Sequence, residues 1–260
     1  MLNTSLAFRL ISTDMERSLA RTAETPMVER EAAYYLENIG KVRSVDDFFA
    51  NDRLYRFATK AFGLADMSYA KAFMRKVLEE GTDNRASLAN TLADGRYREF
   101  AEAFNFARYG TATTSFGRTQ QGTVDRYVRQ TLEEDAGRQN EGVRLALYFE
   151  RKAASIDSAM DILADPALLK VVQVATGLSP LTAAADIDNQ AEMISARLDV
   201  EDLKDPDKLG RFLSRFTSLW ELENAPAAAA APNIIAGQPI ALGFSADLLA
   251  SLQNLKLGGI

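Results

Sequence analysis

Few residues in this chain have the type and spacing to do chemistry. Two acidic pairs, Asp46/Asp47 and Glu133/Glu134, could in principle serve as general acid and base. On a helix, however, adjacent residues point to different faces, and such pairs usually solvate a surface. Asp186-Ile187-Asp188-Asn189-Gln190 has the opening rhythm of a calcium loop. Ala191 stands where that loop needs glycine, and Arg197 where it needs its closing glutamate, so a helix-start cluster of acids is the better reading. The stretch from Gly110 to Gly122 combines glycines with hydroxyls, as anion cradles do, but lacks a Gly-Lys-Ser/Thr ending and a preceding strand. It reads as an exposed polar connector that orders on a partner.

Composition narrows the chemistry further. The 260 residues include no histidine and no cysteine. That removes the usual neutral-pH base, the commonest metal ligand, thiolate nucleophiles, zinc–thiolate sites and disulfides. No catalytic, cofactor-binding or metal-ligating residue is assigned, and no cofactor is expected. A net charge of −6, with basic residues interleaved among acids, argues against nucleic acid as a partner. No run is long and apolar enough for a membrane span, and the N-terminal residues do not read as a signal peptide.

The elements that must position these residues all read as helices. Phe8, Ile11, Met15 and Leu19 recur at helical spacing. Thr25 caps a helix with Pro26 at its first position and Val28, Ala32, Leu36 and Ile39 on its apolar stripe. The chain also repeats itself. Leu54 with Gly63-Leu64 returns as Leu168 with Gly177-Leu178, at an offset of 114 residues (177 − 63). The block starting at Ser44 is echoed from Ser155, and Tyr97, Phe100 and Phe104 are echoed by Leu209, Phe212 and Phe216. Duplication of one helical unit is the simplest account.

The predicted organisation is all-α: two tandem copies of a multi-helix repeat plus a C-terminal amphipathic helix after an Ala/Pro linker. Residues 1–43 form N-terminal helices, 44–107 the first repeat, 108–122 the polar connector and 123–154 a single connecting helix. Residues 155–222 form the second repeat, 223–241 the linker and 242–260 the terminal helix. Two apolar faces, Phe8, Ile11, Met15 and Leu19 at one end and Phe244, Leu248, Leu252 and Leu255 at the other, are the candidate partner-binding residues.

A longer pattern is carried by Tyr34-Tyr35-Leu36-Glu37-Asn38-Ile39-Gly40-Lys41-Val42, by Asp46-Asp47-Phe48, by Lys71-Ala72-Phe73-Met74-Arg75-Lys76-Val77-Leu78 and by Phe104-Asn105-Phe106. In the second half it continues through Ala146-Leu147-Tyr148-Phe149-Glu150-Arg151-Lys152, Ile162-Leu163-Ala164-Asp165, Asp186-Ile187-Asp188 and Arg215-Phe216. Over residues 1–222 this resembles a family of uncharacterised alpha-proteobacterial proteins, often encoded in flagellar gene clusters near motor and rod components. The resemblance implies a flagellum-linked role and transfers no catalytic residue. The expectation is a non-enzymatic structural or assembly protein acting through protein–protein contacts, cytoplasmic or flagellum-associated, with signal-peptide-independent export open to it. Expected partners are proteins, flagellar components among them, and self-association is open. A cytosolic adaptor or chaperone holding a partner helix is the alternative, and an enzyme using carboxylates and lysine the minor one.

Overall fold

The computed structural model describes residues 3–224. The linker beyond Asn224 and the expected terminal helix, with Phe244, Leu248, Leu252 and Leu255, lie outside the described residues. Among the described residues every regular element is helical: the all-α expectation holds.

The N-terminal apolar stripe forms two helices, α1 (Thr4–Ser12) and α2 (Met15–Ala23), because Asp14 leaves helical geometry and caps α2 through Arg17 N–H at 3.1 Å. α3 (Pro26–Ile39) starts on Pro26 after Thr25, as expected, although Thr25 makes no side-chain cap bond. The first half continues with α4 (Val45–Ala50), α5 (Asp52–Ala61), α6 (Lys71–Glu80), α7 (Leu88–Thr91), α8 (Gly95–Ala103) and α9 (Phe106–Tyr109). Three-ten turns over Gly110–Ser115 and Gly117–Thr119 lead into α10 (Gln121–Gln139). The second half holds α11 (Glu141–Lys152), α12 (Ala159–Ala164), α13 (Pro166–Thr176), α14 (Ile187–Ser195) and α15 (Pro206–Asn224). Glu223 and Asn224, expected in the linker, still belong to the last helix.

The expected connecting helix is two helices. At Asn140 the backbone turns extended (φ −157°, ψ 111°), and its side-chain oxygen accepts from Gly142 N–H at 2.9 Å to start α11. The polar stretch before α10 is exposed only in part. Thr113, Thr114 and Thr119 are buried, and the Thr114 hydroxyl donates to the Val42 carbonyl at 2.7 Å. Hydroxyls bonded to backbone carbonyls let a Gly/Thr/Ser segment enter an interior without orphaned polar groups.

Two apolar cores result. The first is rich in aromatics: Phe48 stacks on Phe104 at 5.0 Å and meets Tyr55 edge-on at 6.0 Å, with Phe57 stacked on Tyr127 of α10 at 3.9 Å. The second is mostly aliphatic, built from Leu147, Ile162, Val171, Val172, Leu213 and Phe216. The fully buried aromatics at helical spacing are thus helix–helix core, as expected. α10 joins the cores, giving Val124, Tyr127 and Val128 to the first and packing Ala136 on the second. α11 and α15 approach so closely that a Cβ on Gly142 would lie 2.3 Å from the Trp220 ring.

Local geometry recurs at the 114-residue offset. Ser44 and Ser158 cap α4 and α12, Asn51 and Asp165 cap α5 and α13, and Gly63 and Gly177 both take φ +70°. This corrects the register read from Ser155, which sits in a three-ten turn; Ser158 is the residue that bonds the Asp161 N–H.

Candidate functional site

Between the two cores lies a cleft of about 410 Å³ with charged walls. Its hub is Glu133 on α10, 2% exposed. Glu133 Oε1 accepts from Arg129 Nε at 2.9 Å and Arg151 Nε at 2.8 Å, and Oε2 accepts from Arg151 Nη2 at 2.8 Å. Arg129 and Glu133 meet because they are one helical turn apart; Arg151 reaches them from the end of α11. Arg129 also donates to the Leu147 carbonyl at 2.9 Å.

A second cluster joins α8 to the halves on either side. Glu99 takes Lys152 of α11 and Arg126 of α10, the latter at 3.2 Å. Arg96 holds Asp94 at 2.8 Å and donates to the carbonyl of Gly63. Burial pushes the Glu99 carboxyl up, but the Lys152 hydrogen bond and the surrounding cations outweigh it and hold it below the usual carboxylate range. Asp94 is lowered in the same way by Arg96 against its own burial. Burial raises Glu150 instead, since Arg129, its cation, is 3.5 Å away.

Tyr148 completes the wall. Its hydroxyl donates to Asp165 Oδ2 at 2.6 Å, while Oδ1 of the same carboxylate caps α13 through Ala167 N–H at 2.9 Å. Burial, with the Asp165 charge beside it, pushes the phenol far up. The first half repeats this device: Asn51 Nδ2 donates to the Tyr34 hydroxyl at 3.1 Å and its Oδ1 caps α5.

Chemically the cleft is close to self-neutralised. Arg96, Arg126, Arg144, Arg151 and Lys152 line it, and each holds a carboxylate. The tyrosine is locked as a donor. Such an arrangement ties the two cores together through paired charges. Among the described residues no cluster of acidic side chains, the only such metal-ligand types here, is grouped to hold a metal ion.

The sequence-selected residues are scattered. Glu133 faces inward, whereas Glu134 turns to Lys60 at 3.0 Å, so the pair does not act together. Asp46 pairs with Arg75 on the surface, and Asp47 accepts from Arg43 N–H at 3.0 Å. Asp186 and Asp188 stand at the start of α14 and are exposed. Of the N-terminal partner-binding candidates, Phe8 is buried in the second core, Ile11 and Met15 pack on it, and Leu19 packs on the first. They are interior surface rather than a presented face: Thr4 N–H on Glu221 at 2.8 Å and Ser5 on Thr217 at 2.8 Å tie α1 to α15. Sequence reading missed Arg129, Arg151, Lys152 and Glu99. The Arg129/Glu133 spacing was the one visible signal.

The fold therefore defines a two-core, all-α protein whose halves meet across an ionic seam. The chain belongs to the family described as protein of unknown function DUF1217, whose model matches residues 61–209. It is similar to the crystal structure of protein AGR_C_984 from Agrobacterium tumefaciens, at 50% identity over 85% of this chain and 94% of that one, with a TM-score of 0.79. Comparison with curated proteins finds no match. No described helix is long and apolar enough to cross a membrane.

Proposed function

We propose that this protein is a non-enzymatic, flagellum-associated structural or assembly component that acts through protein–protein contacts. The observation that carries the non-enzymatic part is the saturation of the cleft: its arginines and Lys152 are all engaged by carboxylates. A catalytic cleft keeps polar groups aimed at an unfilled position. The flagellar part rests on the sequence resemblance to alpha-proteobacterial proteins encoded beside flagellar genes.

The test is deletion of the gene followed by motility assay and electron microscopy of filaments and basal bodies. Impaired swimming or defective basal bodies supports the reading, and normal motility with intact flagella refutes it. Localisation needs a tag that spares the fold. Thr111–Thr114 is unsuitable because Thr113 and Thr114 are buried; Ala183–Ala184 is exposed.

A second reading, an adaptor holding a partner helix, is favoured by one specific observation. An open groove of about 730 Å³ runs between α3 and α5.

A further inference from the structure

That groove has a chemistry of its own. Its walls are Met27, Arg30 and Glu31 on α3 and Asp52, Arg53, Arg56 and Lys60 on α5. Its floor is Phe57 and Tyr127, stacked on each other and nearly buried. The α5 wall spans eight residue steps, about 12 Å, or just over two helical turns.

The carboxylates here are oversubscribed. Glu31 holds Arg53 through two bonds, at 2.8 and 3.0 Å, and Arg30 reaches it only at 3.7 Å. Asp52 is shared by Arg56 at 2.6 Å and Lys71 at 2.8 Å. Lys60 pairs with Glu134, which also accepts from the Gln130 amide at 3.2 Å. Four cations, Arg30, Arg53, Arg56 and Lys60, thus line the groove with two acids, Glu31 and Asp52, a local surplus of two positive charges on a chain of net charge −6. The surplus sits where solvent reaches it, because the Arg30 and Arg56 side chains are 70% and 71% exposed. Beside them Met27 is 65% exposed, an apolar contact point on the rim.

We propose that the α3/α5 groove docks an acidic amphipathic helix of a partner protein, its apolar stripe against Met27 and the aliphatic stems of Arg53, Arg56 and Lys60, and its carboxylates on Arg30 and Arg56. This deepens the protein–protein reading above and rests on it. A helix fits because the α5 wall is about two helical turns long and the groove carries Met27 and long aliphatic stems inside a charged rim. The ring faces are stacked and covered, so unpaired bases have no platform, and two surplus charges are few for a phosphate backbone. The chain's own segment 245–260 is a poor complement, having one acid, Asp247, and one base, Lys256.

The experiment uses the full-length protein and a displayed library of helices about four turns long. Apolar anchors are spaced for one face, and each remaining position is free to be acidic or basic. Expected is enrichment of acid-rich helices that bind at least tenfold more weakly to R30E/R56E and more weakly as salt rises. A reversal of equal charge at the exposed Arg211 and Arg215 should leave binding unchanged. Recovery of no binder, of basic or neutral helices, or of helices indifferent to R30E/R56E overturns the proposal. So does an oligonucleotide, or a second copy of the chain, that uses Arg30 and Arg56 when no acidic helix does. A motility result against the flagellar reading leaves this binding result standing, so the two failures are distinguishable.

Discussion

Replacing Glu133 with glutamine tests whether the ionic seam holds the two cores together. The substitution keeps the side-chain shape and removes the charge that accepts three bonds from Arg129 and Arg151. Breaking a buried ion pair from one side costs about 3–5 kcal/mol, because the remaining charges stay partly desolvated. Here the cost falls at the lower end, about 3 kcal/mol, since both arginines keep other contacts. Arg129 retains the Leu147 carbonyl, and Arg151 lies over the Tyr148 ring at 5.0 Å. For a body of this size each kcal/mol moves Tm by roughly 2–4 °C, so E133Q should melt about 6–12 °C lower. The assay is thermal unfolding of the full chain at neutral pH, followed by far-UV circular dichroism. A fourfold change, E133L/R129M/R151M/E150Q, should recover most of the loss, because it removes the stranded charges together with the Glu150 carboxylate that Arg129 faces. If E133Q melts within about 2 °C of the wild type, less than 1 kcal/mol by the same conversion, the seam does not stabilise the fold as argued.

Four further outcomes follow from particular positions. Gly142→Ala should destabilise by about 2 kcal/mol, because a Cβ would strike the rigid Trp220 ring, as measured by urea denaturation. Gly210→Ala in α15, with nothing within 4 Å, should stabilise by up to about 1 kcal/mol in the same experiment. Thr114→Val should cost about 1–3 kcal/mol by stranding the buried Val42 carbonyl, and an unchanged denaturation midpoint would count against a structural role for that stretch. Glu150 gives a pH signature. Its folded pKa lies above the unfolded value near 4.5, so its stabilising contribution is present below that value and lost as pH rises through the folded pKa. Glu150→Gln should therefore raise Tm at neutral pH and converge with the wild type in acid; a mutant less stable at neutral pH would show that the Arg129 contact dominates.

The sequence by itself determined the helices and most of their ends. Local signals suffice there: Pro26 and Pro166 at first positions, Asn51 and Asp165 as caps, and Gly177 in the left-handed conformation each act within a turn of their own backbone. The 114-residue echo was legible for the same reason, because capping and stop residues leave a spaced trace in the chain. The break at Asp14 was not read because the apolar stripe runs on through it, and the break at Asn140 falls in a polar stretch between Ala136 and Val143 that was read as helix; in both a polar side chain takes a backbone N–H.

What only the tertiary structure decided was which charges meet. Lys152 finds Glu99 across 53 positions, and Glu133 becomes a hub rather than half of an acidic pair because α11 brings Arg151 against it. The same packing turned the Phe8–Leu19 face into interior and drew Thr113, Thr114 and Thr119 of the Gly/Thr/Ser stretch under cover. Helix periodicity fixes the face a residue lies on, but only packing sets which face another element covers, and a charge's partner, burial and pKa all depend on that.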